Sequence, residues 1–518
     1  MNPEPLASKR LPVIHIKPGW AASLALFITI FLIYLFTLAP GVYGFDSAEF
    51  ATGVYTQGVI HPPGFPLYLL LGKLFSLLPI RDLAYRLNLM SAVFAALAAV
   101  LLFQLLHHIV KSRFTAWIAA FLLAVSNYYW QMALVTEVYT VFLALLVLDL
   151  LWVMLWRKTG SARYLLLFSF FYGLTLTTHT SGILYAPAFT CLILFSPAWK
   201  KPCWKWVALM FPLFLTGLSL YAYLSIRAGA HPLLDYSQYY PKANLTTFSG
   251  LWWYISGRAY SFFAFGYSWS ELPAQIVSFA GNLWRNNLGL GVILGLLGMI
   301  TLSRKNFSLF SGLSLFFLAN AFFYINYRVM DKDTMFLPAY LIWAIFVAVG
   351  LQSSEEQLKT LFARFDLPTW RPAFGNVSMV ILVLLAVSLN WHWVDMSDST
   401  GYSDFAIAIF TAAPQGAVIL SPWSSAVVME YYQIVEGMRP DLTIINQTRL
   451  EVAEYSGYWD QGLPHDEIME ILHTDQLANI QQIAKRQCVY AVEYDAELAQ
   501  AFSFIPDGPA FRLLANDP

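Results

Sequence analysis

The sequence predicts an all-α polytopic membrane bundle of about eleven transmembrane helices with a small α/β unit after the last of them. Three observations carry this. Hydrophobic residues make up 58% of the 518-residue chain and charged residues 12%, about half the charged share of a soluble domain. Apolar runs able to cross a hydrocarbon core of about 30 Å recur along most of the chain. After Trp391 they give way to a strand, a helix and a second strand.

The apolar runs lie near 20–40, 87–110, 114–127, 138–156, 164–178, 182–196, 206–226, 286–302, 307–327, 336–352 and 375–391. The first follows Lys9, Arg10 and Lys17, as a signal peptide would. It is too long for one and lacks a clear small-residue cleavage site, so it reads as an uncleaved first span. The runs 164–178 and 182–196 are short and are split by Thr178-His179-Thr180-Ser181-Gly182. With the N-terminus in the cytoplasm, the inside segments 1–18, 111–113, 157–163, 197–205, 303–306 and 353–374 hold sixteen Lys and Arg. The outside loops 41–86, 127–137, 178–181, 227–285 and 328–335 hold nine. That bias sets the sidedness, and an odd number of spans then puts the tail outside.

Residues 1–391 are thus expected to form the multi-pass membrane domain, with large outside loops at 41–86 and 227–285. Residues 392–518 are expected to form an extracytoplasmic α/β unit. Within it Gly416–Ser421 reads as a buried strand, Ala426–Val435 as a helix and Leu442–Asn446 as a second strand.

Composition also excludes functions. The formal net charge of -1 leaves no electrostatic footprint for nucleic acid. The three cysteines, Cys191, Cys203 and Cys488, show no paired or Cys/His ligand spacing, so neither a disulfide framework nor a metal site is indicated. The inside connections are short and contain no Gly-rich phosphate loop.

Chemistry-bearing residues gather in the outside loops. Asp46 and Glu49 are three apart and share a helix face. An Asp-Ser-x-Glu run is also an ordinary helix opening, which Ser47 or Asp46 could cap. A carboxylate at the mouth of a membrane bundle can act as a general base on an incoming hydroxyl. His61-Pro62-Pro63-Gly64-Phe65-Pro66 breaks regular structure and sets a rigid turn. Glu137 and Tyr139 open one span, and His179 sits between two short ones. Arg227 ends a span and Arg258 follows Trp252-Trp253. An arginine fork suits phosphate oxygens, while interfacial snorkelling is the plainer alternative. Arg285 and Arg328 are the next such cations, and Asp331 and Asp333 concentrate charge at a further span mouth. Apart from Asp149, no acid or base lies deep in a span. A transporter would carry midplane ionisable or broken-helix sites, so this distribution favours an outward-facing enzyme.

These residues resemble the GT-C superfamily of membrane glycosyltransferases. The likeness is nearer still to a transmembrane family long labelled as of unknown function. Its animal member is the O-mannosyltransferase acting on plexin-type extracellular domains, and it has many bacterial relatives. The likeness rests on Gly44-Phe-Asp46-Ser-Ala-Glu49, on Thr56-Gln-Gly58-Val-Ile-His61-Pro-Pro-Gly64-Phe-Pro66 and on Thr136-Glu137-Val-Tyr139. It continues through Gly173 to Thr180, Leu224-Ser-Ile-Arg227-Ala, Asp331 to Tyr340, Ser421-Pro-Trp423 and Val435 to Asp441. Secretory-pathway O-mannosyltransferases have adjacent Asp-Glu, whereas here the Glu falls three positions on.

The resemblance implies transfer of a sugar, with mannose as one option, from a polyprenyl-phosphate donor to a hydroxyl on the extracytoplasmic face. Asp46 would be the base and the transfer would invert the anomeric carbon. Glu49 would be catalytic beside Asp46, and His61, Glu137, Tyr139, His179, Arg227, Arg258, Asp331 and Asp333 would bind substrate. No cofactor beyond the lipid-linked sugar is required, and a divalent metal stays open. Membrane lipids, the donor and an exported protein, glycan or lipid acceptor are the expected partners. The alternative is a flippase or transporter of a polyprenyl-linked or lipid substrate, which would depend on an ion gradient and form no covalent product.

Overall fold

A computed structural model describes residues 18–199, 204–364 and 371–516. Lys9, Arg10, Lys17, Lys200, Lys201 and Cys203 lie outside the described residues. The chain is a multi-pass helical bundle, and each of the expected apolar runs coincides with a helix.

In chain order the first helices are α1 (Pro18–Thr37), α2 (Asp46–Thr56), α3 (Pro66–Phe75), α4 (Leu83–Leu106), α5 (Arg113–Ala124) and α6 (Asn127–Met132). α7 (Tyr139–Thr159) and α8 (Ala162–Thr178) follow, and a 3₁₀ turn, Thr180–Tyr185, runs into α9 (Ala186–Leu194). Next come α10 (Trp204–Leu218), α11 (Ala222–Gly229), α12 (Phe248–Ile255), α13 (Leu272–Asn286), α14 (Leu290–Lys305) and α15 (Phe307–Ile325). α16 (Lys332–Met335), α17 (Leu337–Arg364) and α18 (Arg371–Val394) complete the membrane part.

Among the described residues, 7 helices are long and apolar enough to cross a bilayer alone, and α13 with α14, bent by 100°, make 8. The remaining runs fold as α5, α8 and Thr180–Leu194, each shorter than a full crossing. Side-chain caps set several starts. Asp82 accepts from the Tyr85 amide, Ser112 from Thr115 and Asn306 from Leu309. Small residues let helices approach: a Cβ on Gly298 would lie 1.8 Å from the Phe346 carbonyl oxygen, so α14 and α17 cross backbone to backbone. Asp149, the one mid-span acid noted in the sequence, accepts from the Thr175 hydroxyl at 2.6 Å and ties α7 to α8.

The basic connections meet at one end of the bundle. Lys111 and Lys305 both pair with Glu356, at 3.3 and 3.2 Å, and Arg157 donates to Ser308 at 2.9 Å. The acidic and aromatic loops meet at the other end. Residues expected to share a side therefore touch one another.

After α18 come α19 (Gly401–Ala412), α20 (Trp423–Ile434), α21 (Gln447–Trp459) and α22 (His465–Ala484) with five strands. These are β1 (Val418–Ser421), β2 (Thr443–Asn446), β3 (Val489–Ala491), β4 (Phe502–Asp507) and β5 (Ala510–Ala515). The sheet order is β2-β1-β3-β5-β4. β1 runs parallel to both neighbours, with Val418 opposite Thr443 and Val489. β5 pairs antiparallel with β3 and β4. The expected strand–helix–strand is β1-α20-β2, and the other strands add a mixed edge. One hydrophobic core runs from Ala48, Phe50 and Val54 of α2 to Val427, Val428 and Tyr431 of α20. The helix carrying Asp46 is thereby packed directly onto the sheet unit.

Candidate active site

α2 begins at Asp46 straight after Phe45, whose φ of 59° turns the chain sharply into the helix, and no side chain caps it. The capping alternative for Asp46 and Ser47 is thus corrected: both belong to the helix proper, and Asp46 and Glu49 occupy its first turn on one face. His61 arrives from the following loop, which the second large loop grips. The Val59 amide donates to the Leu234 carbonyl at 2.9 Å, and the Tyr236 amide donates to the Val59 carbonyl at 2.8 Å. The Tyr254 hydroxyl donates to the Ile60 carbonyl at 2.5 Å. This approach needs glycine at 58, because a Cβ there would lie 2.2 Å from the Leu234 oxygen.

So held, His61 reaches Glu49 twice. Its backbone amide and its Nδ1 each lie 2.8 Å from the same Glu49 oxygen. Asp46 Oδ1 is 3.6 Å from Nδ1. The Glu49 side chain is 2% exposed and that of Asp46 20%, so Asp46 alone of the two carboxylates keeps a reachable face. Burial pushes Asp46 up, the nearby Glu49 and Asp331 add to this and His61 opposes it; the net position is about 7. Burial also acts against charge on Glu49, but His61's charge and hydrogen bonds outweigh it and hold Glu49 below its ordinary value. His61 is disfavoured as a cation by burial, yet Glu49 and Asp46 carry it up to about 9. The cluster at neutral pH is a charged Glu49–His61 pair beside a carboxyl poised near neutrality. Ligand atoms of Asp46, Glu49 and His61 lie within 4.8 Å of one another. A metal held there through His61 Nδ1 would have to displace the proton shared with Glu49.

The three residues open on a cavity of about 1480 Å³. Tyr139, His179, Arg258 and Asp331 line it, as the sequence suggested, together with Arg328. His179 Nδ1 accepts from the Ser181 amide at 3.2 Å, and burial lowers its pKa to about 4, so it is a neutral ring. Its ring stacks 5.9 Å from Tyr139. Arg258 is paired to Asp460 at 3.3 Å and is 61% exposed. Apolar lining from Ile183, Leu184, Phe214, Leu218 and Phe323 adjoins the polar end.

Three expected residues do not line the cavity. The Arg227 Nε donates to the Gln57 carbonyl at 2.5 Å and its fork reaches the Thr56 carbonyl at 3.4 Å, so it ties down the end of α2. Asp333 accepts from the Tyr128 hydroxyl at 3.0 Å and faces α6. Glu137 is buried, and burial raises it well above its ordinary value.

The sheet unit supplies residues that sequence reasoning missed. Trp423, Thr448, Arg449 and Asp460 all line the cavity. Trp423 follows β1, and Thr448 and Arg449 follow β2. Loops at the carboxyl ends of adjacent parallel strands are where α/β units bind ligands. That signal was readable once both strands were recognised as parallel neighbours.

The chain is similar to known proteins. Residues 46–202 match the family model "Protein O-mannosyl-transferase TMEM260 N-terminal domain". The mouse protein O-mannosyl-transferase TMEM260 is 26% identical over 477 residues, covering 86% of this chain and 64% of that protein. The Dictyostelium discoideum protein of the same name is 24% identical over 480 residues, covering 83% and 57%. The chain thus spans about three-fifths of the length of these relatives. Among solved structures, ArnT from Cupriavidus metallidurans bound to undecaprenyl phosphate superposes with a TM-score of 0.56 at 12% identity, covering 96% of this chain and 98% of ArnT. The chain has the GT-C fold expected from its motifs, and over most of its length it is similar to the TMEM260 protein O-mannosyl-transferases.

Proposed function

We propose that this protein is an integral membrane glycosyltransferase. It moves a sugar, mannose on the pattern of its named relatives, from a polyprenyl-phosphate donor to a hydroxyl of an exported acceptor. The observation that carries this reading is Asp46: a carboxyl near neutrality, open to a large cavity, beside a second carboxyl locked away on His61. A general base works best when its pKa lies near the operating pH. The acceptor oxygen attacks the anomeric carbon as its proton passes to Asp46. The bond from that carbon to the phosphate oxygen breaks, and the polyprenyl phosphate leaves with the electron pair, inverting the carbon. Of the three arginines lining the cavity, Arg449 is forked onto Glu430, so Arg258 and Arg328 are the ones that would meet the phosphate, replacing the Arg227 assignment. The apolar lining suits a lipid chain, and undecaprenyl phosphate is the lipid-phosphate class held by the ArnT structure. The N-terminus lies in the cytoplasm and the site on the extracytoplasmic side, in keeping with the basic residues gathered at the opposite end.

The test is direct. Purified protein is incubated with a panel of polyprenyl-phosphate sugars and a peptide, glycan or lipid acceptor, and products are read by mass spectrometry. Sugar transfer or slow donor hydrolysis is expected for one donor. Donor binding without any covalent product, together with gradient-driven lipid movement in vesicles, would replace this reading with the flippase.

A further inference from the structure

We infer that Arg449 is a positioning residue, through which the sheet unit sets the Glu49–His61–Asp46 cluster. Arg449 is the third residue of α21, and its side chain is only 8% exposed. It forks onto Glu430 of α20, with hydrogen bonds of 2.9 and 2.6 Å. The same guanidinium donates to the Tyr236 hydroxyl and lies 3.8 Å over the Tyr236 ring. Tyr236 belongs to the second large loop of the membrane part, and its hydroxyl also bonds Glu430 at 3.2 Å.

The backbone of Tyr236 continues the chain of contacts. Asp235 bridges Val59 in parallel, and the Tyr236 amide bonds the Val59 carbonyl. Val59 lies two residues before His61, whose amide and ring both hold Glu49. A buried ion pair costs desolvation that its Coulomb attraction need not return, so it is poor evidence of stabilisation alone. What this pair does supply is direction. It fixes Tyr236 by fork, ring and hydroxyl at once, and Tyr236 fixes the segment that delivers His61. Glu49 and Arg449 also attract one another across the site.

The reading rests on the proposed chemistry only for its rate consequence, so its main readout is independent of turnover. His61 is faced by Asp46 and Glu49 from α2, Asp331 before α16, His179 after α8 and Tyr260 from the turn Arg258–Phe263. Arg449 stands behind Glu49. Removing the Arg449 cation alone would by itself raise His61. The variant is therefore the charge-neutral pair Arg449→Met with Glu430→Gln, made in the full chain. The rate at which diethyl pyrocarbonate modifies His61 is followed by mass spectrometry across pH. The wild-type midpoint is expected near 9. In the double variant it falls toward the ordinary value of about 6.5, so modification at pH 7.5 speeds up by as much as about thirtyfold. Sugar transfer falls in kcat with the donor KM kept. An unmoved midpoint in a folded double variant overturns the proposal. If that variant does not fold, Tyr236→Leu, which removes both the ring and the hydroxyl that Arg449 holds and changes no charge, carries the same comparison, and an unmoved midpoint there overturns it equally. A shifted midpoint in a protein that transfers no sugar would sink the glycosyltransferase reading and leave the positioning role standing.

Discussion

Asp46→Asn keeps the size and hydrogen-bonding shape of the side chain while removing its basicity. Glu49 cannot take over, because it is 2% exposed and one of its oxygens already accepts from both the amide and ring of His61. Loss of a general base costs about 10²–10⁴-fold in rate, and without a substitute the variant should fall well inside that range. The wild type carries a second signature. A base with its pKa at about 7 must be deprotonated to act, so activity is full above that value and lost as pH falls through it. At pH 6 about 9% of the molecules hold a free base against about 91% at pH 8, so the rate drops roughly tenfold. The assay pairs initial rates of transfer between pH 5.5 and 8.5 with donor binding and thermal unfolding on the same preparation. Asp46→Asn should lose the acid limb along with the rate while still binding donor. Normal turnover in a folded Asp46→Asn protein, or a wild-type rate that is flat from pH 6 to 8, would refute the assignment of the base.

Other outcomes separate neighbouring roles. Arg258→Ala should weaken donor binding by several-fold, since an exposed ion pair is worth about 0–1 kcal/mol, and Arg258→Lys should restore only part of it; titration with a polyprenyl-phosphate sugar decides. Arg227→Ala should leave donor affinity alone and lower the unfolding temperature, because hydrogen bonds to the Thr56 and Gln57 carbonyls at the end of α2, worth about 1–3 kcal/mol, are lost. Gly58→Ala should part the His61 loop from residues 234–236, given a clash at 2.2 Å, and transfer should fall; unchanged turnover would mean the two loops can separate freely. For sidedness, the exposed native Cys488 and a cysteine in place of Thr246 should react with an impermeant thiol reagent in intact cells. One in place of Gly160, in a background lacking the native cysteines, should not, and the reverse pattern would overturn the orientation.

Much of this molecule is written locally. Composition and run length made it a membrane bundle, because so much apolar surface has no aqueous solution. The i, i+3 spacing of Asp46 and Glu49 put both on one helix face, and the Pro-rich run after His61 forced a turn there. The strand–helix–strand of the tail was legible for the same reason, since short apolar strands and helix periodicity are local patterns. Tertiary structure decided what spacing cannot. Arg227 looked like a phosphate clamp and is spent on the carbonyls of α2, because α11 happens to end beside that helix. Asp333 turned to Tyr128 and Glu137 was sealed in the bundle. Arg449, just over 400 residues from Asp46, reached the site only because α20 packs on α2 within one core. Which carboxyl of the pair stays open, and which is locked on His61, depended on where residues 234–236 pass. Those are encounters between distant segments, and periodicity carries no information about them.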